Sequence, residues 1–388
     1  MNVLFDYQAF EIQKIGGVSR SFAELMVRLR NMDGCKCEVG VKESDNVYLR
    51  ESGIAEGIKP LHYTHDRFFG GKKSFKGQRL LTRKFLGIIG LENDGLNINQ
   101  EYCIKQLKRQ SFDVFEPTFF DSYFLPYLKN KPFVLTVHDM IPELFLDCFS
   151  RDDYQIIQKK LLCPLAAHIH VPSQKTKEDV INILNISPEK ISVIPHGRPA
   201  FLSSDYSISP IYDYPYLLYV GDRYGYKKFT SFIKECSYII KKCPELHVVC
   251  TGKDFSENEK KELVARGIAN NVVHHFASNE SLRNLYHYAV AFVYPSAYEG
   301  FGLPILEAFT CDCPVMLNNA SCFPEVAEDA AIYFDIDENG DLYEKFLAFY
   351  SSGSALRKEM IQKGKMQAEK YSWDKSALLL KKVYEDCI

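Results

Sequence analysis

The 388-residue sequence has no apolar run near the ~20 residues that a membrane-spanning helix needs. It has no surplus of positive charge. Its 47 Lys and Arg stand against 50 Asp and Glu, a net charge of -3, which argues against general nucleic-acid binding. It has no CxxC pair and no Cys/His cluster at zinc-ligand spacing, which speaks against a zinc site among its twelve cysteines. Cys35 and Cys37, like Cys311 and Cys313, are too close in sequence for ordinary disulfides, and Cys250 sits inside the apolar run HVVCTG. The cysteines read as reduced and mostly structural, an expectation that places the chain in the cytoplasm. The opening MNVLFDYQAF has no basic stretch before an apolar one and reads as a first strand, not a signal peptide. There is no short-period repeat and no low-complexity tract.

What the sequence does have is alternation. Nine short apolar runs read as strands: NVLFDY, FVLTVHD, AHIHVPS, KISVIPHG, YLLYVGD, LHVVCTG, VAFVYPS, CPVMLNN and AIYFD. Most are continuous rather than alternating, the mark of parallel strands buried on both faces. Helical patterns lie between them. In VSRSFAELMVRLR, residues Val18, Phe22, Leu25, Met26 and Leu29 share one face, and SQKTKEDVINIL opens another helix. The chain is therefore read as α/β, doubly wound, and its length calls for two domains. SSDYSISPIYDYPY, Ser203 to Tyr216, interrupts the rhythm, so the expected domains are 1–205 and 206–370. Ligands of such sheets sit beyond the carboxyl ends of strands. His138 and Asp139, Ser173, Gly221 and Arg223, Gly252 and Lys253, and Ser296 and Glu299 all fall there.

YEGFGLPILEA, Tyr298 to Ala308, carries the most chemistry. A strand ends before it, Pro304 suits a first helical turn, and Gly300 and Gly302 let backbone approach a ligand. The N–H groups of Phe301, Gly302 and Leu303 at a helix N-terminus form an anion site suited to phosphate. Glu307, one turn inside, would repel phosphate and suits ribose hydroxyls; Glu299 suits sugar hydroxyls on the other side. The alternative is a strand–turn–helix corner with two solvated glutamates. YVGDRYGYKKF adds Arg223, Lys227 and Lys228 past the second domain's first strand, cations that can stabilise a diphosphate leaving group without a metal. DIDENGD, from Asp335, imitates the start of a calcium loop. Phe346 stands where a bidentate Glu is required, so it reads as a polar loop.

Taken together, these segments resemble retaining glycosyltransferases of family 4, with the GT-B fold. The likeness is strong over about 130–335, through FVLTVHDMIPELF, VPSQKTKEDVINILNISPEKISVIPHG, YLLYVGDRYGYKKF and the Glu299-to-Glu307 motif. It is weaker over 1–30. The resemblance implies two Rossmann-like domains facing a central cleft, with 371–388 packing back on the first. It implies that Gly16 and Gly17 approach the donor phosphate and that His138 contacts the transferred sugar. It further implies that Arg223 and Lys227 or Lys228 bind the diphosphate, that Glu299 holds the sugar and Glu307 the ribose. No metal or other cofactor is implied. Three departures stand out: Lys227-Lys228 in place of Lys-Asn, Asp312 in place of Gly, and EIQKI before the glycine pair. The style of TVHDMIPELF resembles bacterial mannosyltransferases of surface-polysaccharide assembly. It implies GDP-mannose ahead of a UDP-sugar as donor and a lipid-linked saccharide as acceptor. A GT-B nucleotide-sugar epimerase and a non-catalytic nucleotide-sugar-binding subunit are the competing readings. Residues 67–91 hold seven basic residues and no acidic one, interleaved with aromatics. They fit peripheral contact with an anionic membrane, a cover for the acceptor side, or a packed helix with solvated lysines.

Overall fold

Runs of β-branched, aromatic and leucine residues form strands whose side chains are buried on both faces, as in the wholly buried YLLY, AFVY and VMLN segments. The computed structural model describes residues 1–54, 57–61, 98–199 and 208–388. The first domain contains β1 (Asn2–Phe5), β2 (Lys36–Val39), β3 (Val114–Glu116), β4 (Val134–Thr136), β5 (His168–Val171) and β6 (Ile191–Val193). All pair in parallel, in the orders β2-β1-β3 and β4-β5-β6. A parallel bridge between Phe115 and Phe133 joins the two halves. The second domain is one parallel sheet of β7 (Tyr216–Tyr219), β8 (His247–Cys250), β9 (Val272–His274), β10 (Ala291–Tyr294), β11 (Val315–Asn318) and β12 (Ala331–Phe334). Its order is β12-β11-β10-β7-β8-β9.

Both orders reverse direction once, between β1 and β3 and between β7 and β10. Loops leaving adjacent strands at such a reversal diverge to opposite faces and open a crevice. In the second domain the two loops are Gly221–Lys228 and Ser296–Gly302, which places the basic turn and the glutamate loop side by side.

The nine expected strands are all present. β2, β3 and β9 were not anticipated. β2 alternates exposed and buried residues at a sheet edge, and β3 and β9 are three residues long, too short for a pattern to register. The segment 67–91 and the expected boundary at 205/206 lie outside the described residues. All twelve cysteines are free, and nine are buried.

The chain crosses between the domains twice, after β6 and again near residue 371. The two crossings touch: Arg198 N–H donates to Tyr371 O at 3.3 Å, and Ser376 Oγ donates to Pro195 O at 2.5 Å. The last helix, Trp373–Asp386, contributes Trp373, Ala377, Leu380, Val383 and Tyr384 to the first domain's core. There the Tyr384 hydroxyl bonds buried Glu116, which also accepts from Thr136 Oγ1 at 2.7 Å and lies 2.9 Å from His170 Nε2. Gly197 makes the crossing possible, because a Cβ there would lie 2.2 Å from the Trp373 nitrogen. Gly197→Ala is expected to destabilise the protein by about 1–3 kcal/mol through overpacking. A thermal-unfolding comparison with native protein checks this; an unchanged melting temperature would show that the crossing yields.

Candidate active site

The glutamate loop is seated against the first domain. A Cβ on Gly300 would lie 1.8 Å from the His138 carbonyl oxygen and 3.2 Å from Asp139 Cβ, so only glycine fits. Thr176 Oγ1 donates to Gly300 O at 3.2 Å, and the Tyr298 hydroxyl donates to Asp179 at 2.7 Å. Gly302 takes φ +87° and turns the chain into the helix Leu303–Thr310, with Pro304 in its first turn. Among the described residues, no group accepts from the N–H of Phe301, Gly302 or Leu303.

A second helix N-terminus meets the first. Gly16 caps the helix Gly17–Arg30, and a Cβ on Gly17 would sit 3.6 Å from Leu303 Cδ1. Two helices, one from each domain, thus point their positive ends at one place, an arrangement suited to an anion.

Lys227 and Glu299 form an ion pair beside these helix ends. The Tyr294 hydroxyl also bonds Glu299; burial and the carboxylate together push its pKa well above the usual tyrosine range. Glu299 is further fixed through its backbone. Its N–H donates to Ser321 Oγ at 3.2 Å, and its carbonyl accepts from that hydroxyl at 2.8 Å. The basic turn packs on the first domain: Tyr226 lies 5.5 Å from Phe145 and 6.5 Å from Phe149.

Two expected cations are placed elsewhere. Lys228 takes a left-handed conformation, φ +54°, which swings its side chain to Asp337 at 2.8 Å. Of the two lysines, Lys227 is the one that pairs with Glu299. Arg223, expected at the diphosphate, has a buried side chain bonded within its own domain. Nε donates to Glu259 at 2.6 Å, and the terminal nitrogens donate to the carbonyls of Thr251, Lys253 and Asp254. The guanidinium also lies over Phe229 and Phe255. It braces the loop after β8, and four of its five N–H groups are engaged there. Residue type and spacing alone could not distinguish these two directions from a strand end.

Glu307 is held across the cleft. Arg20 of the first domain donates to Oε1 at 3.0 Å, with side chains 5% and 10% exposed, and the Tyr286 hydroxyl donates to Oε2 at 3.1 Å. Arg20 was not anticipated. The signal was present, since it lies on the buried face of the helix that the glycine pair opens.

His138 sits at the junction, but its ring is turned into the first domain. It packs edge-on against Phe22 at 5.6 Å, lies 6.3 Å from His196, and shares a small cavity with His170 and Trp373. Its Nε2 is buried with no hydrogen-bond partner among the described residues. Burial, then the neighbouring His196, His170 and Lys159, hold its pKa well below the usual histidine value. His196 is pushed down to about 3, chiefly by burial.

Two doubly wound domains, with helix N-termini, a lysine and two glutamates at their facing strand ends, define a GT-B protein. Residues 15–199 match the family described as Glycosyltransferase Family 4, and residues 207–367 match Glycosyl transferases group 1. The chain belongs to the family 4 glycosyltransferases. It is 31% identical over 216 residues to the O-antigen chain mannosyltransferase RfbU of Salmonella typhimurium, a stretch covering 55% of this chain and 59% of that protein. It is 27% identical over 271 residues to O-antigen chain mannosyltransferase B of Escherichia coli, covering 65% and 70%. HepE of Anabaena, solved with UDP-glucose, shares the fold at TM-score 0.71 and 14% identity, with both chains wholly covered. Sucrose-phosphate synthase of Thermosynechococcus elongatus does so at 0.70 and 15%, covering 99% and 98%.

Both histidines are neutral in the fold and take up a proton on unfolding once the pH falls below about 6.5. The unfolded state then binds more protons, so each subtracts up to about 1.4 kcal/mol per pH unit as the pH falls. For His196 this continues down to about pH 3. His196→Gln is expected to flatten the acid limb of stability between those limits, read by urea unfolding at a series of pH values. A slope equal to native would show that His196 is already charged.

Proposed function

We propose that the chain transfers a sugar, with retention, from a nucleotide-sugar donor to a hydroxyl of a saccharide in polysaccharide assembly. The observation that carries this reading is the meeting of two helix N-termini, at Gly17 and Leu303, next to the loop whose Glu299 holds Lys227. The diphosphate lies at the paired helix ends. One N–H of the Lys227 ammonium is engaged by Glu299, which leaves two for the departing phosphate. Charge developing on that phosphate meets fixed dipoles and an ammonium already in place, so the reading assigns no metal. Glu299 accepts from sugar hydroxyls and Glu307 from the ribose. His138, neutral and with an unpaired ring nitrogen, is a hydrogen-bond partner for the transferred sugar after a side-chain rotation. A phosphate oxygen of the leaving group takes the acceptor's proton. Mannose from GDP-mannose is favoured because two relatives matched over more than half of this chain are O-antigen mannosyltransferases. A lipid-linked saccharide acceptor, and association with an anionic membrane surface, complete the reading.

The first test is thermal stability against nucleotides and nucleotide-sugars without added metal. GDP species are expected to raise the native melting temperature, and Glu307→Ala to respond far less. Selective stabilisation by UDP species would replace the donor. No response to any of them would remove the reading.

The two lysines provide a second test. Lys227→Ala is expected to lower kcat by about 10²–10³-fold, the range for removing one charge-stabilising donor, while Lys228→Ala stays near native. Equal losses would mean that Lys228 swings into the site.

A further inference from the structure

The helix Tyr154–Leu165 of the first domain is apolar on both sides. Its inner side buries Ile156, Leu162 and Cys163. Its outer side carries Tyr154, Ile157, Leu161 and Leu165, which are 49%, 50%, 43% and 55% exposed. Their spacing in the sequence keeps them in one stripe along the helix. A helix that is apolar all round belongs inside a protein, and a row of large apolar side chains in water marks a contact surface. Lys160 is the one exposed charged residue within the helix, and its stem can carry the ammonium out past a neighbour. Charge gathers at the two ends instead. Arg151 and Asp152 are exposed just before the helix. At the other end Lys190 donates to Pro164 O at 2.7 Å, with exposed Glu189 beside it.

We propose that this stripe is covered by the same stripe of a second copy of the chain, the two helices running antiparallel about a two-fold axis. Three features of the surface favour that occupant. The stripe is self-complementary. In an antiparallel pair centred near residue 159, Tyr154 meets Leu165 of the second copy and Ile157 meets its Leu161, and both contacts recur by symmetry, as an isologous interface requires. The ends are complementary too. Asp152 of one copy comes to Lys190 of the other, and the positive end of each helix dipole comes to the negative end of its mate. Finally, the rim carries charges of both signs, whereas an anionic bilayer selects clusters of Lys and Arg. A helix face about 18 Å long supplies less than the ~800 Å² per partner of a standard interface, so the dimer forms reversibly. On the inner side of the same helix, Lys159 donates to Asp139 O at 3.0 Å and to Glu143 at 2.9 Å. The covered helix therefore braces the segment that follows His138.

The test is sedimentation velocity of the full chain over about 1–100 µM, where mass action moves a reversible dimer from mostly apart to mostly paired. The native sedimentation coefficient is expected to climb from the monomer value towards the dimer value. Leu161→Glu, which sets a carboxylate in the stripe of each copy, is expected to weaken pairing by at least about tenfold. Its melting temperature, matched to that of dilute native protein, shows that the fold is intact. Asp152→Lys is expected to weaken the dimer, and Asp152→Lys combined with Lys190→Asp to restore it, a rescue that only the antiparallel pairing produces. A native chain that stays monomeric throughout would overturn the inference, as would a dimer that survives Leu161→Glu. A dimer lost in Leu161→Glu but unmoved by Asp152→Lys would overturn the antiparallel pairing. A monomer that floats with vesicles of phosphatidylcholine and phosphatidylglycerol, and ceases to as Leu161→Glu, would give the stripe to a bilayer and overturn the second copy as its occupant.

Discussion

Much of the cleft depends on one constraint: a carboxylate buried between two domains needs its counter-charge from the far side. Glu307 has Tyr286 on its own domain and Arg20 on the other. Desolvating such a pair consumes most of its Coulomb energy, so its value is geometric more than energetic. It fixes the distance between the helices Gly17–Arg30 and Leu303–Thr310, and therefore the distance between their N-termini. The Gly300 contact with the His138 carbonyl fixes the same two surfaces at a second point. A third is Glu325, whose carboxylate accepts from the N–H groups of Gln174 and Lys175 at the start of a first-domain helix. An acidic residue there is favoured by the helix dipole.

Sheet topology explains why these contacts gather in one place. Each sheet reverses its winding once, and the loops after β7 and β10 emerge beside that reversal. The loops after β1 and β4 supply the opposing wall, with the glycine pair and His138. Parallel sheets need buried faces and long crossovers, and that requirement puts both functional edges on the carboxyl ends of strands.

The legible part of the sequence was local chemistry. Glycine, proline and paired glutamates in YEGFGLPILEA specify a turn and a helix start whatever surrounds them, and continuous apolar runs located nine strands. Direction was illegible. Arg223 and Lys228 flank Lys227 in sequence, yet the left-handed backbone at Lys228 and the carbonyls after β8 draw both away. Arg20 was illegible for another reason. Its partner is 287 residues distant, and a buried arginine looks like any other basic residue on an amphipathic helix until the facing domain is in place. The missed strands are short or lie at a sheet edge, where the run of apolar residues is lost.

The last helix completes the core of the domain in which the chain began, so the polypeptide passes between domains by two strands that touch at Gly197 and Trp373. A single tether would act as a ball joint, free to swing and twist. Two tethers bound together act as a hinge with one axis, and shearing or twisting the halves would have to part the crossings where Arg198 meets Tyr371. The same geometry makes the two ends of the chain interdependent. Cutting away the final helix would leave the first domain unfinished while leaving the second one's sheet untouched, so the cleft would lose one wall and its pivot in a single stroke.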